Sequence, residues 1–393
     1  MTQARPEERT AHIITGPTSG IGLSTALELA KHGPVVLVGR DQAKLAQVRE
    51  SIERAGGHAV PVACDLSDLA SVRRAAAEII ALRLPLAGLV NNAGIMELHA
   101  TKNAQGWDTT FATDHLGPFA LTEALIPHLP DGANVVFVCS GVEDPERRPA
   151  VVAGFRGGQY LSAEASARGE WKPGGSTHPG FDAYATSKQC NLATVLAFAR
   201  ETPRLRFNAV EPGFSPATSL SRDANVLLRA LGKYVLSPLA PFIKYWSTPA
   251  RAGKVVTNAV LNDSGETGVY YDEEGRPMLG STLVRDPQFQ DRVVAETRAL
   301  LLTVSALQSL PPALATTPRT PRGERAHRQP DHRRQAKRPN ARSTHPSTLP
   351  IAEASNTRTD YPQKYPCLPG LHVLVTHFRQ RQSPLHLPAP LTH

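Results

Sequence analysis

The sequence predicts a single doubly wound α/β domain on a mostly parallel sheet, followed by a disordered tail, and three observations carry that expectation. Short β-branched runs alternate with helical stretches from Ala11 to about Val269, the pattern of repeated strand–helix–strand units. Several of the runs are apolar throughout, as strands covered by helices on both faces should be. The composition then changes abruptly near residue 304, which bounds the domain at 11–303.

Taken in order, the candidate strands are 12–15, 35–38, 59–63, 88–91, 134–138 and 206–210, with a short seventh, 268–270, at the edge. The helical stretch 21–32 meets Gly33 and Pro34, which cannot continue it. Asp65 and Ser67 both qualify as N-caps for a helix over 69–82, because a short side-chain oxygen can accept from a free N–H of the first turn. Residues 183–201 give the longest clean helical pattern.

Residues 304–393 hold 13 Lys and Arg against 4 Asp and Glu, while the whole chain of 393 residues is only +8. The basic character therefore belongs to an appendage. That appendage also carries 14 of the 34 prolines and 2 of the 29 glycines, so it cannot bury enough apolar surface to offset its ordering entropy, and disorder is expected. It is read as an arm of the protein or as the product of a shifted reading of GC-rich coding DNA. It lacks interleaved aromatics and any basic helix, so no specific nucleic-acid binding is expected. Residues 1–10 are charged and read as a flexible lead-in, and no run of 18 apolar residues occurs, so no transmembrane segment is expected. Cys64, Cys139, Cys190 and Cys367 show neither a disulfide framework nor zinc-ligand spacing, which fits a reducing cytoplasm and no metal.

The first strand runs into Thr15-Gly16-Pro17-Thr18-Ser19-Gly20-Ile21-Gly22 at the start of a helix. Glycines there let the main chain turn sharply and approach a pyrophosphate, which the free N–H groups and dipole of the helix start attract. Packing alone could also require them. The second strand ends at Arg40, where an acidic residue would bond a ribose 2′-hydroxyl and an arginine can pair with a 2′-phosphate. This favours NADP(H) and leaves NAD(H) open; a solvated surface arginine is the bland alternative. Asp65 could accept from an adenine amino group or simply cap its helix. Asn92, Ala93 and Gly94 follow the fourth strand, at the edge where open α/β sheets bind ligands.

Tyr184 and Lys188 lie at i and i+4 in the long helix and share one face. A nearby ammonium, with an oxidised nicotinamide, would favour the phenolate and bring a phenol of ordinary pKa near 10 toward a useful range. TGxxxGxG, NNAG, Ser140 after the fifth strand, YxxxK and Pro212-Gly213 after the sixth occur in that order. In these motifs the chain resembles the short-chain dehydrogenase/reductase family over about residues 10–300. The resemblance implies a Rossmann-type fold and hydride transfer with NAD(P), with Tyr184 as general acid/base, Ser140 orienting the substrate oxygen and Lys188 binding the nicotinamide ribose. It implies that the nucleotide is held by Gly16, Thr18, Ser19, Gly20, Ile21, Gly22, Arg40, Asp65, Leu66, Asn92, Ala93, Gly94, Tyr184, Lys188, Pro212, Gly213 and Thr218.

Asp114-His115-Leu116-Gly117-Pro118-Phe119, the continuation Gln189-Cys190-Asn191-Leu192 and the long gap from Ser140 to Tyr184 are similar to the retinol dehydrogenase and protochlorophyllide reductase branch. The insertion 141–183 is read as a substrate wall or lid, or as decoration. Segment 214–250, apolar and aromatic around Leu227, Leu228, Tyr234, Phe242, Tyr245 and Trp246, is read as covering an apolar small-molecule substrate or as a core or dimer helix. Homo-oligomerisation through the helix of Tyr184 and its neighbour is implied, although the branch includes monomers. Where the family places a fourth catalytic residue, Asn, this chain has Asp114; an ionised carboxylate only accepts hydrogen bonds, so the enzyme is expected to be impaired or shifted in pH. The alternative is a dinucleotide-binding or redox-sensing protein that has lost efficient chemistry.

Overall fold

The computed structural model describes residues 10–214 and 245–309, with side chains to 304. Residues 1–9, Thr218, most of segment 214–250 and the basic tail beyond residue 309 therefore lie outside the described residues. Eight strands form one sheet in the order β3-β2-β1-β4-β5-β6-β7-β8. These are β1 (Ala11–Thr15), β2 (Val35–Gly39), β3 (Ala59–Ala63), β4 (Leu86–Asn91), β5 (Asn134–Val138), β6 (Arg206–Val210), β7 (Tyr270–Tyr271) and β8 (Pro277–Met278). All neighbours pair in parallel except β7 with β8, an antiparallel hairpin that the sequence pattern does not show because each partner is two residues long. The seventh strand lies at 270–271 rather than 268–270, since Gly268 takes a positive φ of 74° and serves the turn before it, and β8 rather than β7 closes the edge.

Chain order reverses between β1 and β4, each starting a half-sheet, and the crevice outside their carboxyl ends is where such folds bind ligands. Helices α1 (Gly20–Leu29), α2 (Gln42–Arg54) and α3 (Leu69–Ala81) follow the first three strands. The N-cap of α3 is Asp68, which accepts from Ala70 N–H, and not Asp65 or Ser67. Asp65 instead turns its carboxylate onto the Ser67 N–H at 2.9 Å and hydroxyl at 2.7 Å, closing the turn that precedes the cap.

Helix α4 has three parts: a turn at Thr109–Phe111, a π-helical stretch at Ala112–Leu116 and an α-helical stretch at Gly117–Leu125. Such stretches recur at functional sites, and this one presents Asp114. Helix α5 (Pro179–Glu201) starts at a proline, whose missing N–H costs nothing in the first turn, four residues before the expected start. The insertion adds two short helices, Arg148–Val152 and Ala163–Ala167, and two longer ones follow, α6 (Pro249–Leu261) and α7 (Pro287–Ser309).

Helix α7 runs past residue 303 because it is a packed element. Phe289, Val293 and Val294 are buried in the core, contributing roughly 1.5–3 kcal/mol each. Arg298 bridges Glu123 of α4 at 2.8 Å and Glu201 of α5 at 2.7 Å, and Arg200 pairs with Asp291. The chain's own last helix thus lies against α5. Among the described residues no helix is long and apolar enough to cross a membrane.

Candidate active site

The glycine-rich turn is stapled to the loop after β4. The Thr15 hydroxyl accepts from both Asn92 N–H and Ala93 N–H at 3.0 Å, while the Asn92 amide donates to the carbonyls of Thr15 at 2.9 Å and Gly16 at 3.3 Å. Gly16 (φ 68°) and Gly20 (φ 57°) take the left-handed region. A Cβ on Gly22 would lie 2.2 Å from the Gly16 carbonyl oxygen and 2.4 Å from the Asn92 amide nitrogen. Packing and an open main chain are thus requirements of one geometry: the turn closes only with glycine, and closing it leaves the first N–H groups of α1 facing the crevice. No acidic residue occupies the first turn of α1, so the positive end of the helix favours an anion.

The other expected nucleotide contacts are distributed along this edge. Arg40 is exposed just beyond β2, and Asp65 is half-buried beyond β3. The Leu66 side chain belongs to the core, leaving only its main chain to face a ligand. Gly213, after β6, has a positive φ of 75°.

Ser140, Tyr184 and Lys188 converge from β5 and α5. Ser140 lies two residues past the end of β5 in extended backbone, close enough to the Tyr184 phenol for its hydroxyl to favour the phenolate. Lys188 is buried, donates to the Val138 carbonyl at 3.1 Å and places its ammonium 5.3 Å from the Tyr184 ring centroid. Burial pushes the phenol above its ordinary pKa; the Lys188 ammonium and the Ser140 hydroxyl pull it down, and the Asp114 carboxylate adds to the upward push. In the protein alone the net direction is upward; the expected favouring of the phenolate includes the charge of an oxidised nicotinamide.

Asp114 is fully buried. One carboxylate oxygen accepts from Ile95 N–H at 2.8 Å; the other lies 3.7 Å from the Lys188 ammonium and has no hydrogen-bond partner. Burial raises its pKa to about 7, against the pull of Lys188. The same carboxylate opposes the desolvation of Lys188 and holds that ammonium above its ordinary value. A Cβ on Gly94 would stand 3.1 Å from Asp114 and 3.4 Å from the Lys188 nitrogen, so glycine is what lets the pair approach.

Behind the pair runs a chain of neutral hydrogen bonds. Asn191 donates to the Asp114 carbonyl at 2.8 Å, and His115 lies between Asn191 (2.9 Å) and Thr297 of α7 (3.1 Å). Burial lowers the His115 pKa to about 4, so the ring is neutral near pH 7; with the Asn191 oxygen accepting, its proton sits on Nδ1. Thr15, Asn191 and Thr297 are positioning groups that sequence reasoning did not assign. Thr15 and Asn191 stood inside quoted motifs, whereas Thr297 carried no signal.

The insertion forms a wall beside Tyr184. Phe155 stacks on Phe181 at 4.2 Å and 10°, and its ring lies 6.4 Å from that of Tyr184, with Met96, Leu98 and Val142 packed against the cluster. Its far side is tied down where the Tyr160 hydroxyl donates to Glu296 of α7 at 2.6 Å.

A parallel sheet with this crevice and a Ser–Tyr–Lys constellation beside it describes a dinucleotide-linked oxidoreductase. Residues 10–150 match the family described as short chain dehydrogenase. The chain is 32% identical over 308 residues to polyprenol dehydrogenase of Mus musculus, covering 74% of this chain and 83% of that protein. It is 30% identical over 282 residues to protochlorophyllide reductase of Avena sativa, covering 66% and 88%. In fold it is similar to a blue fluorescent protein from a metagenomic library solved in complex with NADPH, at a TM-score of 0.50 and 20% identity, covering 68% and 96%. The chain belongs to the short-chain dehydrogenase/reductase family of NAD(P)-dependent oxidoreductases.

Proposed function

We propose that this protein interconverts a carbonyl and an alcohol on an apolar small molecule using NADP(H), with Tyr184 as general acid/base. The observation that carries the reading is the convergence of Ser140, Tyr184 and Lys188 at the carboxyl end of β5, beside an edge whose glycines leave room for a dinucleotide. The turn at 16–22 and the start of α1 would hold the pyrophosphate, and exposed Arg40 would pair with a 2′-phosphate.

The bound nicotinamide supplies or accepts the hydride at the substrate carbon. Ser140 orients the substrate oxygen, and Tyr184 gives that oxygen its hydroxyl proton as the carbonyl is reduced, or removes it as the alcohol is oxidised. Lys188, held by Val138 and Asp114, faces the phenolate with a positive charge. The wall of Met96, Leu98, Val142, Phe155 and Phe181 favours an apolar substrate, and a relative named for polyprenol supports the same class. The second reading, a nucleotide-binding protein with weak chemistry, is favoured by a carboxylate at Asp114, paired with Lys188, where the family places an asparagine amide.

Titration with NADPH and NADH, followed by loss of reduced-nicotinamide absorbance with farnesal, retinal and benzaldehyde, tests both. Tighter NADPH binding with turnover of the apolar aldehydes is expected, and Arg40→Ala should cost about tenfold or more in NADPH affinity while sparing NADH. Binding without turnover supports the second reading. No binding of either nucleotide overturns the assignment.

A further inference from the structure

Ser140 and Pro212-Gly213 follow adjacent strands, and the residues that lock these two loops together are the buried Glu211 and, from the insertion, Arg147. The Arg147 guanidinium lies 2.7 Å from the Glu211 carboxylate, with side-chain exposures of only 21% and 10%. The pair sits hard against the turn after Ser140: a Cβ on Gly141 would lie 2.8 Å from the Glu211 carboxylate and 3.0 Å from Arg147 Nε. On its other side Arg147 covers the Tyr245 ring, 4.6 Å from its centroid. Tyr245 is one of two non-glycine residues with positive φ among those described, at 69°. Its carbonyl accepts from Phe214 N–H at 2.8 Å, and the Phe214 carbonyl accepts from Ser247 N–H at 2.9 Å.

One guanidinium therefore touches three pieces of chain with distant positions in sequence: the insertion it belongs to, the start of the Glu211–Phe214 loop, and the returning strand of chain at Tyr245. Among the described residues Arg147 is the cation paired with Glu211. Buried Glu273 and the burial of Glu211 itself both oppose its ionisation, and Arg147 is the cation that offsets them. An ion pair this close to solvent-free packing is lost at high cost when one partner is removed, because the other charge is stranded.

We propose that Arg147 is a positioning residue: through Glu211 it sets where the Pro212-Gly213 main chain lies relative to Ser140, and so shapes the part of the crevice that takes the nicotinamide half of the dinucleotide. This rests on the dinucleotide reading above. The half-sheet logic makes it specific, since the β1–β3 half takes the adenosine end and the β4–β6 half the reacting end. A displaced Pro212-Gly213 loop should weaken only contacts made by the second half.

Calorimetric titration of full-length protein with NADPH and with adenosine 2′,5′-bisphosphate, which carries the adenosine end alone, reads this directly. Arg147→Met is expected to weaken NADPH by about tenfold while leaving the bisphosphate within about twofold, with Arg147→Lys recovering part of the loss. Glu211→Gln, which keeps the side-chain shape, is expected to show the same selective loss and serves if the Met variant does not fold. Equal weakening of both ligands would show a general structural role and overturn the proposal, as would unchanged NADPH affinity. Wild-type protein that binds neither ligand would sink the dinucleotide reading itself, a result distinct from either of these.

Discussion

The two halves of the sheet build their shares of the crevice from different materials. The β1–β3 half uses main chain: Gly16, Gly20 and Gly22 form the turn, and the Asn92 amide and Thr15 hydroxyl, neither of which titrates, hold it closed. The β4–β6 half uses buried charge: Asp114 with Lys188, Arg147 with Glu211, and Glu143, whose carboxylate accepts from Ser281 N–H and hydroxyl and is pushed up to about 7 by burial. The first half should therefore be intolerant of volume and indifferent to pH. The second should tolerate changes that preserve shape and respond to every change of charge.

The largest effect that would sharpen this contrast is at Tyr184. Tyr184→Phe removes one oxygen from a buried site whose packing against Phe155 it keeps, so turnover should fall by roughly 10²–10⁴-fold while NADPH affinity stays near wild type. Stopped-flow single turnover with titration on the same sample checks both. A variant that retains a tenth of the wild-type rate would remove the chemistry from this half.

Next comes the rigid half. An added methyl at Gly22 meets a backbone oxygen at 2.2 Å, so Gly22→Ala must move either the turn or Asn92. Overpacking of this kind costs about 1–3 kcal/mol, which should appear as a lower melting temperature and weaker NADPH binding. The decisive feature is that both losses should be the same at pH 6 and pH 9. A loss that varied across that range would mean that titrating groups also support the turn, and the contrast between the halves would fail.

How far the molecule could be read from its sequence divides along the same line. β3, β5 and β6 lie where the periodicity put them, because runs of apolar residues covered on both faces leave a strong local signal. The glycines carry their own signal, since the backbone they permit is a local property. Arg147 does not. Nothing near residue 147 in sequence announces that it meets Glu211 and Tyr245, because that contact is created by folding an insertion back across two strand ends. The same holds for Thr297, which reaches His115 from the far end of the domain, and the cap of α3 falls on Asp68 beside the two expected candidates, Asp65 and Ser67. The upward push on the tyrosine in the protein alone is hidden for the same reason: spacing shows that Lys188 is near, whereas burial, the larger influence, is invisible in i and i+4.

The smallest effect is the most informative about Asp114, and its sign follows from the groups around it. Below about pH 7 the buried carboxyl is protonated and neutral, so it resembles the amide of an asparagine and Asp114→Asn should behave like wild type. Above that pH the wild-type carboxylate appears, and it pushes the Tyr184 phenol further up. Alcohol oxidation needs the phenolate, so the variant should be faster there, by roughly threefold to tenfold for a change of up to one pKa unit. The thermal stability of wild type relative to the variant should decline from about pH 4 to 7, because a carboxyl whose folded pKa is raised above its unfolded value stabilises only while it keeps its proton. The competing effect is on Lys188, whose ammonium the same carboxylate helps to keep charged against burial. If oxidation by Asp114→Asn is instead slower above pH 7, holding the lysine charged is what Asp114 chiefly does in this chain, and the aspartate supports the chemistry it was expected to impair.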